Sequence, residues 1–515
     1  MEKVSDEQLI IEVLALRPET ADDLDVIKRS LSKKYDIPLL SHSTLLRAYK
    51  QLLAHDEKAG DQLLLRLLRR RSIRTLSGVA PITVLTKPYP CPGRCIYCPT
   101  EARMPKSYLA SEPAAQRALK NEFDPIRQME SRMQQLSTNG HVVDKIELIV
   151  LGGTWSFYPH DYQEAFIKGC FDAANGKTSK TLEEAQKTNE TATRRIIGVT
   201  FETRPDYVTT GELWRMRKLG CTHIQIGIQS LDQEVLDLVH RDETIEQMAE
   251  ATRLIKQFGF KYTYHIMPGL PGATPEKDLK TFDMLFGDER FQPDMLKIYP
   301  TVVVKSSLLY QWWKDGKYKP YDDKTLRDLL IDIKKKITPY VRINRLIRDI
   351  PGNDIIDGNL VTNLRQKLQE QNAACQCIRC REARGKKVSE EDAHLTVRTY
   401  ASSGGTEHFI SFESPDRKTL YAFVRLFLPD KTPSVLGKTV AHVRELHTYG
   451  ELIHVGSKNT AVQHIGFGKR LMRKAEEVAQ QSGYKMLAVI SGIGVREYYR
   501  KLGYTLERTY MQKSL

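Results

Sequence analysis

Between residues 76 and 345 the chain switches repeatedly between two hydrophobic periods. Short apolar, β-branched runs recur at 82–86, 146–151, 196–201, 223–228, 261–267 and 295–303. Stretches with apolar positions at helical spacing separate them, for example 210–219, 233–240, 244–258 and 275–286. Strands alternating with helices predict an α/β unit with a parallel sheet and right-handed crossovers. Ahead of it, residues 1–75 read as helices: Ser5 precedes one apolar-periodic run, Thr20 precedes an acidic first turn, and Ser41 or Ser43 can cap a third. Residues 175–195 are polar and read as an exposed helical insertion without chemistry. From about 393 the pattern becomes antiparallel β, with runs at 394–400, 409–412, 420–428 and 439–448, then a helix, a strand at 485–490, a helix at 494–502 and a final strand. The expected domains are a helical region 1–75, the α/β unit 76–345, a basic linker 346–392 and an α+β domain 393–515.

Composition changes this picture in two respects. The 515 residues leave room for about three or four domains. No apolar run approaches the roughly 20 residues a bilayer requires, and the opening MEKVSDEQLI lacks a signal-peptide apolar region, so a cytoplasmic protein is expected. The net charge of +14, from 78 Lys and Arg against 64 Asp and Glu, favours a polyanionic partner, with nucleic acid first and simple solubility charge as the plain alternative. Eight cysteines in a cytosolic chain point to metal rather than disulfides. Cys170 and Cys221 stand alone and read as buried thiols. The other six fall into two groups.

Cys91, Cys95 and Cys98 are spaced C-x3-C-x2-C just past the first strand. One loop carrying three thiolates suits an iron–sulfur cluster, although the spacing alone also admits a zinc knuckle or a half-disulfide loop. Three ligands leave one iron of a four-iron cluster open, and open coordination marks catalytic metals. Later strands also run into polar residues or glycines: Gly152, Gly153 and Thr154; Glu202 and Arg204; Gln229 and Ser230; and a Pro-Gly turn ending at Gly272. In a barrel of parallel strands the carboxyl ends carry the active site. Cys375, Cys377 and Cys380 suggest a structural zinc site in need of a fourth ligand, with His394 the nearest histidine and metal-free thiols as the alternative. Three basic regions read as phosphate contacts: Arg66, Arg69, Arg70, Arg71 and Arg74; Lys334, Lys335, Lys336, Arg342 and Arg345; and residues 379–387. Near the C-terminus, Gln463, Gly466 and Gly468 open a helix whose backbone N–H groups could approach a pyrophosphate.

The cysteine loop and strand ends resemble the radical S-adenosylmethionine superfamily. The resemblance implies a partial (β/α)6 barrel, a [4Fe-4S] cluster on Cys91, Cys95 and Cys98, and S-adenosylmethionine at the open iron. Tyr97 matches the aromatic residue before the third cysteine, and Gly152 and Gly153 match the pair that receives the cofactor amino group, with Glu202, Arg204 and Gln229 as further contacts. Thr154 stands where the superfamily usually has Glu. The C-terminal pattern resembles the GNAT acetyltransferases. That resemblance implies acetyl-CoA held by Glu445, Leu446, His447, Thr448, Gly466, Phe467, Gly468 and Tyr499, with Tyr499 protonating the departing thiolate.

From about residue 80 onward, the stretches YPCPGRCIYCP, FETRPDYVT, LGCTHIQIGIQS, LKIYPT, VRELHTYG and AVISGIGVREYYRKLGY resemble the catalytic subunits of Elongator, in a stand-alone prokaryotic form. The gap between Cys91 and Cys95 is shorter than in eukaryotic members. The resemblance implies carboxymethylation of the wobble uridine of tRNA at C5, starting from acetyl-CoA. In the implied scheme a radical derived from S-adenosylmethionine takes hydrogen from the acetyl methyl group, the carbon radical adds to uracil C5, and thioester hydrolysis leaves the carboxymethyl group. Lys145 matches a lysine that handles acetyl-CoA in that family, and the basic regions would follow the tRNA backbone up to the anticodon loop. The competing readings are a protein lysine acetyltransferase with a structural cluster and a tRNA-binding scaffold with vestigial chemistry.

Overall fold

The computed structural model describes residues 4–55, 60–68, 78–361, 363–370, 374–383, 392–430, 435–437, 439–449 and 466–515. Four helices open the chain: Asp6–Ala15, Ala21–Lys34, His42–His55 and Gln62–Leu68. Their starts follow from side-chain caps. Ser5 accepts from the Gln8 N–H, Thr20 and Asp23 form a capping box, and Ser41 rather than Ser43 accepts from the Thr44 N–H at 3.0 Å. Leu9, Ile10, Leu24, Leu31, Leu45 and Leu64 close a separate small core. Of the first basic region, only Arg66 is within the described residues, exposed on the last of these helices; Arg69, Arg70, Arg71 and Arg74 lie outside them.

The central sheet has seven parallel strands where the sequence predicts six. They are β1 (Ala80–Leu85), β2 (Lys145–Leu151), β3 (Arg195–Thr203), β4 (His223–Gln229), β5 (Lys261–Ile266) and β6 (Met295–Ile298), then, after a short β7 (Val303–Val304), β8 (Arg342–Arg345). All neighbours in the order β1-β2-β3-β4-β5-β6-β8 pair in parallel. The extra strand, Arg-Ile-Asn-Arg, falls in a stretch read as a charge run because only Ile343 is buried. The expected run 295–303 is in fact two strands, and β7 pairs antiparallel with β9 (Ile355–Asp357). Strand alternation sets the architecture. On β2 the residues Ile146, Leu148 and Val150 enter the core under the helices, while Lys145, Glu147, Ile149 and Leu151 face a cavity on the inner side.

The second sheet contains β10 (His394–Ala401), β11 (Gly405–Glu413), β12 (Leu420–Pro429), β13 (Val440–Thr448), β14 (Met486–Val489), β15 (Thr505–Glu507) and β16 (Tyr510–Ser514), ordered β10-β11-β12-β13-β14-β16-β15. The single final strand expected from sequence is a hairpin. β13 and β14 run parallel but pair only from Val440 to Val443, whereas β13 stays paired with β12 through Thr448. The two strands therefore part after Val443 and open a groove. The helix Phe467–Gln481 packs across this sheet with Leu471, Met472 and Ala475 in its core.

The two sheets share a buried seam. Arg444 Nη1 lies 3.0 Å from Asp294 and 3.1 Å from Glu407, Arg425 Nε lies 3.1 Å from Glu445, and Lys256 lies 3.3 Å from Glu407. The polar insertion belongs to this seam and is not an exposed appendage. On its helix, Leu182–Asn189, the residues Leu182, Ala185 and Asn189 are buried. Glu190, 2% exposed, accepts from Arg496 at 3.0 Å and Arg500 at 2.8 Å on the short helix that carries Tyr498 and Tyr499. No helix among the described residues is long and apolar enough to cross a membrane.

Candidate active site

One cavity of about 1680 Å³ runs along the inner face of the parallel sheet. At the carboxyl ends of the strands it is lined by Tyr97, Cys98, Glu202, Gln229 and Tyr299; at the amino ends by Lys145, Arg195, His223 and Lys261. From there it continues into the groove between β13 and β14, past Glu445, Leu446, His447, Thr448, Gly466, Gly468, Tyr498 and Tyr499. Seven residues of β2 at the strand rise separate its two ends by about 20 Å.

At the upper end, the cysteine loop follows β1. Cys95 is buried, and Cys91 and Cys98 are partly open. Hydrogen bonding with Cys98, followed by the charges of Arg241 and Arg204, pulls the Cys95 thiol below its ordinary value. Cys91 Sγ lies 3.6 Å from the hydroxyl of Thr154, so the residue that replaces the usual Glu faces the first cysteine of the loop. Gly152 sits at φ +154°, and a Cβ there would meet Thr86 Oγ1 at 1.8 Å, which keeps the position a glycine. Gln229 ends β4 at a bulge with φ +69°, a left-handed conformation that costs a non-glycine residue energy and turns up at functional sites. Arg204, predicted as a cofactor contact, is buried against Asp206, Glu243 and Cys95.

The barrel wall holds the predicted contact Glu202 and, around it, Tyr108, His265 and Lys297, which motif reading missed. Glu202 accepts from Tyr108 OH at 2.5 Å and lies 3.5 Å from His265 Nδ1; burial raises its carboxyl above the ordinary value. Lys297 donates to Gln225, and burial lowers its ammonium to about 7. A lysine at the second position of a strand-end stretch, LKIYPT, was the available signal, since its parity matches the cavity face.

At the lower end, the parted strands expose β13. Against burial, Lys261 and Arg425 hold the Glu445 carboxyl down to about 2. His447 is pushed by burial to about 4 and lies against Tyr449 with ring centroids 4.3 Å apart and planes tilted by 45°. Gly466 at φ +75° starts the helix Phe467–Gln481, and a Cβ on Gly468 would stand 2.9 Å from Tyr498 OH. Burial raises the Tyr499 hydroxyl, which keeps it a proton donor. Phe467, expected at acetyl-CoA, instead packs in the core, 1% exposed and stacked on Phe412 at 4.5 Å, because the first helical position turns its side chain under the sheet. Gln463 lies outside the described residues.

The second basic region is reassigned in part. Lys334 is 1% exposed because it shares the inner face of the helix Asp323–Lys336 with Leu326, Leu330 and Ile333, so it is not a surface phosphate contact. Lys335 pairs with Asp332 and Lys336 with Asp283, while Arg342 donates to Glu382 and Tyr449 in the seam and Arg345 pairs with Asp349. Cys375, Cys377 and Cys380 have all their Sγ atoms within 4.8 Å of one another. His394 is not part of that group: it lies exposed on β10 opposite Glu413.

Residues 89–285 match the radical SAM superfamily, and residues 293–373 match the radical SAM C-terminal domain. Over 454 residues the chain is 45% identical to the tRNA uridine(34) acetyltransferase of Dehalococcoides mccartyi, covering 86% of this chain and 99% of that protein. The chain belongs to the tRNA uridine(34) acetyltransferase family. Human Elongator complex protein 3 is 38% identical over 87% of this chain and 86% of its own length. The solved archaeal Methanocaldococcus infernus Elp3 with an N-terminal deletion aligns with a TM-score of 0.75 and 39% identity, covering 86% of this chain and all of that one. Membership in the radical SAM superfamily implies S-adenosylmethionine and a [4Fe-4S] cluster. In this acetyltransferase family member the residues present fit both. Three cysteines lie on one loop, with two buried guanidinium groups against the Cys95 sulfur, a donor set that suits an iron–sulfur cluster.

Proposed function

We propose that this protein forms 5-carboxymethyluridine at the wobble position of tRNA, with acetyl-CoA as the donor of the two carbons. The observation that carries this reading is the single cavity linking the cysteine loop at one end of the barrel to the parted-strand groove at the other. When bound, the cluster and S-adenosylmethionine would supply a hydrogen-abstracting radical at the upper end. Cys91, Cys95 and Cys98 would hold the cluster, and the Gly152–Gly153 turn, Tyr97, Glu202 and Gln229 would orient the methionyl and nucleoside parts. Glu445 to Thr448 offer a free strand edge to the pantetheine amides. Gly466 and Gly468 present helix N–H groups to the pyrophosphate, and Tyr499 would give its proton to the thiolate. Lys145, at the amino end of β2, lies where the two halves of the cavity meet and would steady the thioester there. Lys335 and Lys336, exposed beside Asp332 and Asp283, would exchange those surface pairs for backbone phosphates, and a splayed anticodon base would enter past Glu202 and Lys297. Cys375, Cys377 and Cys380 would hold a structural zinc.

The test is anaerobic reconstitution with iron and sulfide, reduction, and mass spectrometry of tRNA nucleosides. Carboxymethylated uridine that depends on both S-adenosylmethionine and acetyl-CoA, with release of 5′-deoxyadenosine, is the expected result. Acetylation of protein lysines without any change in tRNA would overturn the reading in favour of the lysine acetyltransferase.

A further inference from the structure

The proposed chemistry uses Cys95 as a ligand but leaves unexplained what is packed behind it. Two guanidinium groups reach its sulfur: Arg241 Nη1 at 3.7 Å and Arg204 Nη1 at 4.0 Å. Both arginines are buried. Arg241, 4% exposed, also reaches Tyr97 OH at 3.4 Å and donates to the Gly227 carbonyl, so its plane is fixed from three sides. One carboxylate serves both arginines. Glu243, 2% exposed, places Oε1 2.9 Å from Arg204 Nη2 and Oε2 2.7 Å from Arg241 Nε. Asp206, on the more open side, takes Arg204 alone.

The backbone is shaped to admit these groups. A Cβ at Gly93 would lie 2.1 Å from Arg204 Nη1, and one at Gly227 would lie 3.0 Å from Arg241 Nη2. A buried positive charge in contact with a ligand sulfur favours the more negative of two oxidation states, since cluster potentials follow local charge, sulfur hydrogen bonds and exposure.

We propose that Arg241, held by Glu243, is a positioning residue that sets the reduction potential of the iron–sulfur cluster carried by Cys95. The inference rests on the reading of Cys91, Cys95 and Cys98 as cluster ligands. One electron, supplied by a low-potential one-electron donor, takes the oxidised cluster to its reduced state. Arg241 favours that uptake, and Glu243 limits it by neutralising part of the charge.

The experiment is a dithionite titration of the reconstituted full-length protein, followed by electron paramagnetic resonance, with iron content measured on every sample. At a fixed poise, Arg241→Gln should lower the reduced-to-oxidised ratio about tenfold, equivalent to about 59 mV for one electron. Glu243→Gln should raise the ratio, and Arg241→Lys should return it towards wild type. Opposite shifts in the two neutral variants are something a merely structural role would not produce. Shifts of the same sign, or an unchanged ratio in iron-loaded variants, overturn the proposal. Should Arg241→Gln fail to load iron, Glu243→Gln and Arg241→Lys decide it by the same criteria. A wild-type protein that assembles no cluster would instead sink the reading on which the inference rests.

Discussion

Two groups of three cysteines, nearly alike on paper, sit in opposite kinds of surroundings. Cys91, Cys95 and Cys98 occupy a loop between a strand end and a large cavity, flanked by glycine turns and by charges that satisfy one another. Cys375, Cys377 and Cys380 form a tight knot at the seam. Cys377 is fully buried and caps the short helix Ile378–Arg381, whose Ile378 N–H donates to the Val341 carbonyl just before β8. Arg381 in the same knot reaches the Pro339 carbonyl and Glu413 of β11, tying the last barrel strand to the second sheet. The number of thiols therefore says little about their role. What separates the groups is how they meet the cavity: Cys98 lines it directly, whereas the second group borders it only through Arg379 on its short helix, and its Arg381 ties the two sheets together.

The largest effect should come from Cys95→Ser. Carboxymethylation and 5′-deoxyadenosine release fall to background while thermal unfolding shifts little; full activity with S-adenosylmethionine omitted would erase the distinction between the two groups. Cys377→Ser should do the reverse, costing roughly 3 kcal/mol by denaturant unfolding while the folded fraction keeps its turnover. Loss of turnover at unchanged stability would exchange the two roles.

Charges on the two sides sharpen the contrast next. At the seam, Arg500 and Arg496 overcome burial to hold the Glu190 carboxyl below its usual range. That depressed value means stability is present above the unfolded value near 4.5 and is lost as pH falls through the folded one. Glu190→Gln should therefore cost about 2 kcal/mol at pH 7 and progressively less in acid. On the cavity side the sign is opposite for design. Lys297 is lowered to about 7, so holding it costs nothing above its unfolded value near 10.5, and the penalty grows as pH falls to 7. Lys297→Met should gain about 1–2 kcal/mol at pH 6 and almost nothing at pH 10, with activity reduced at both, because water in the cavity softens the burial. The smallest effect is expected from Lys335→Ala, an exposed helix pair with Asp332, at under about 0.5 kcal/mol in stability.

What was readable in the chain follows from physics at short range. Six barrel strands announced themselves by β-branched runs, and the helix starts by their caps. β8 did not, because a strand with one face on a polar cavity and only one buried side chain looks like a charge run. Lys334 shows the converse: four positions after Leu330, it was on the inner face by helical period, yet its charge suggested the surface. The docking of the insertion through Glu190 and the placement of Arg241 and Glu243 behind Cys95 depend on contacts between distant segments. Nothing periodic marks them. Motif reading found the ligands and the glycines, which chemistry constrains by type. It misplaced Phe467, where a glycine-flanked position served the core instead.

The continuous cavity has a consequence that can be stated as a concentration. A single molecule confined to 1680 Å³ is present at about 1 M. No dissolved metabolite competes at that level, so whatever small fragment is loosened in the lower groove meets the upper end of the barrel far more often than any rival arriving from bulk solvent. Opening the seam would dilute it by many orders of magnitude, and the two halves assayed as separate pieces would then behave as strangers sharing a test tube.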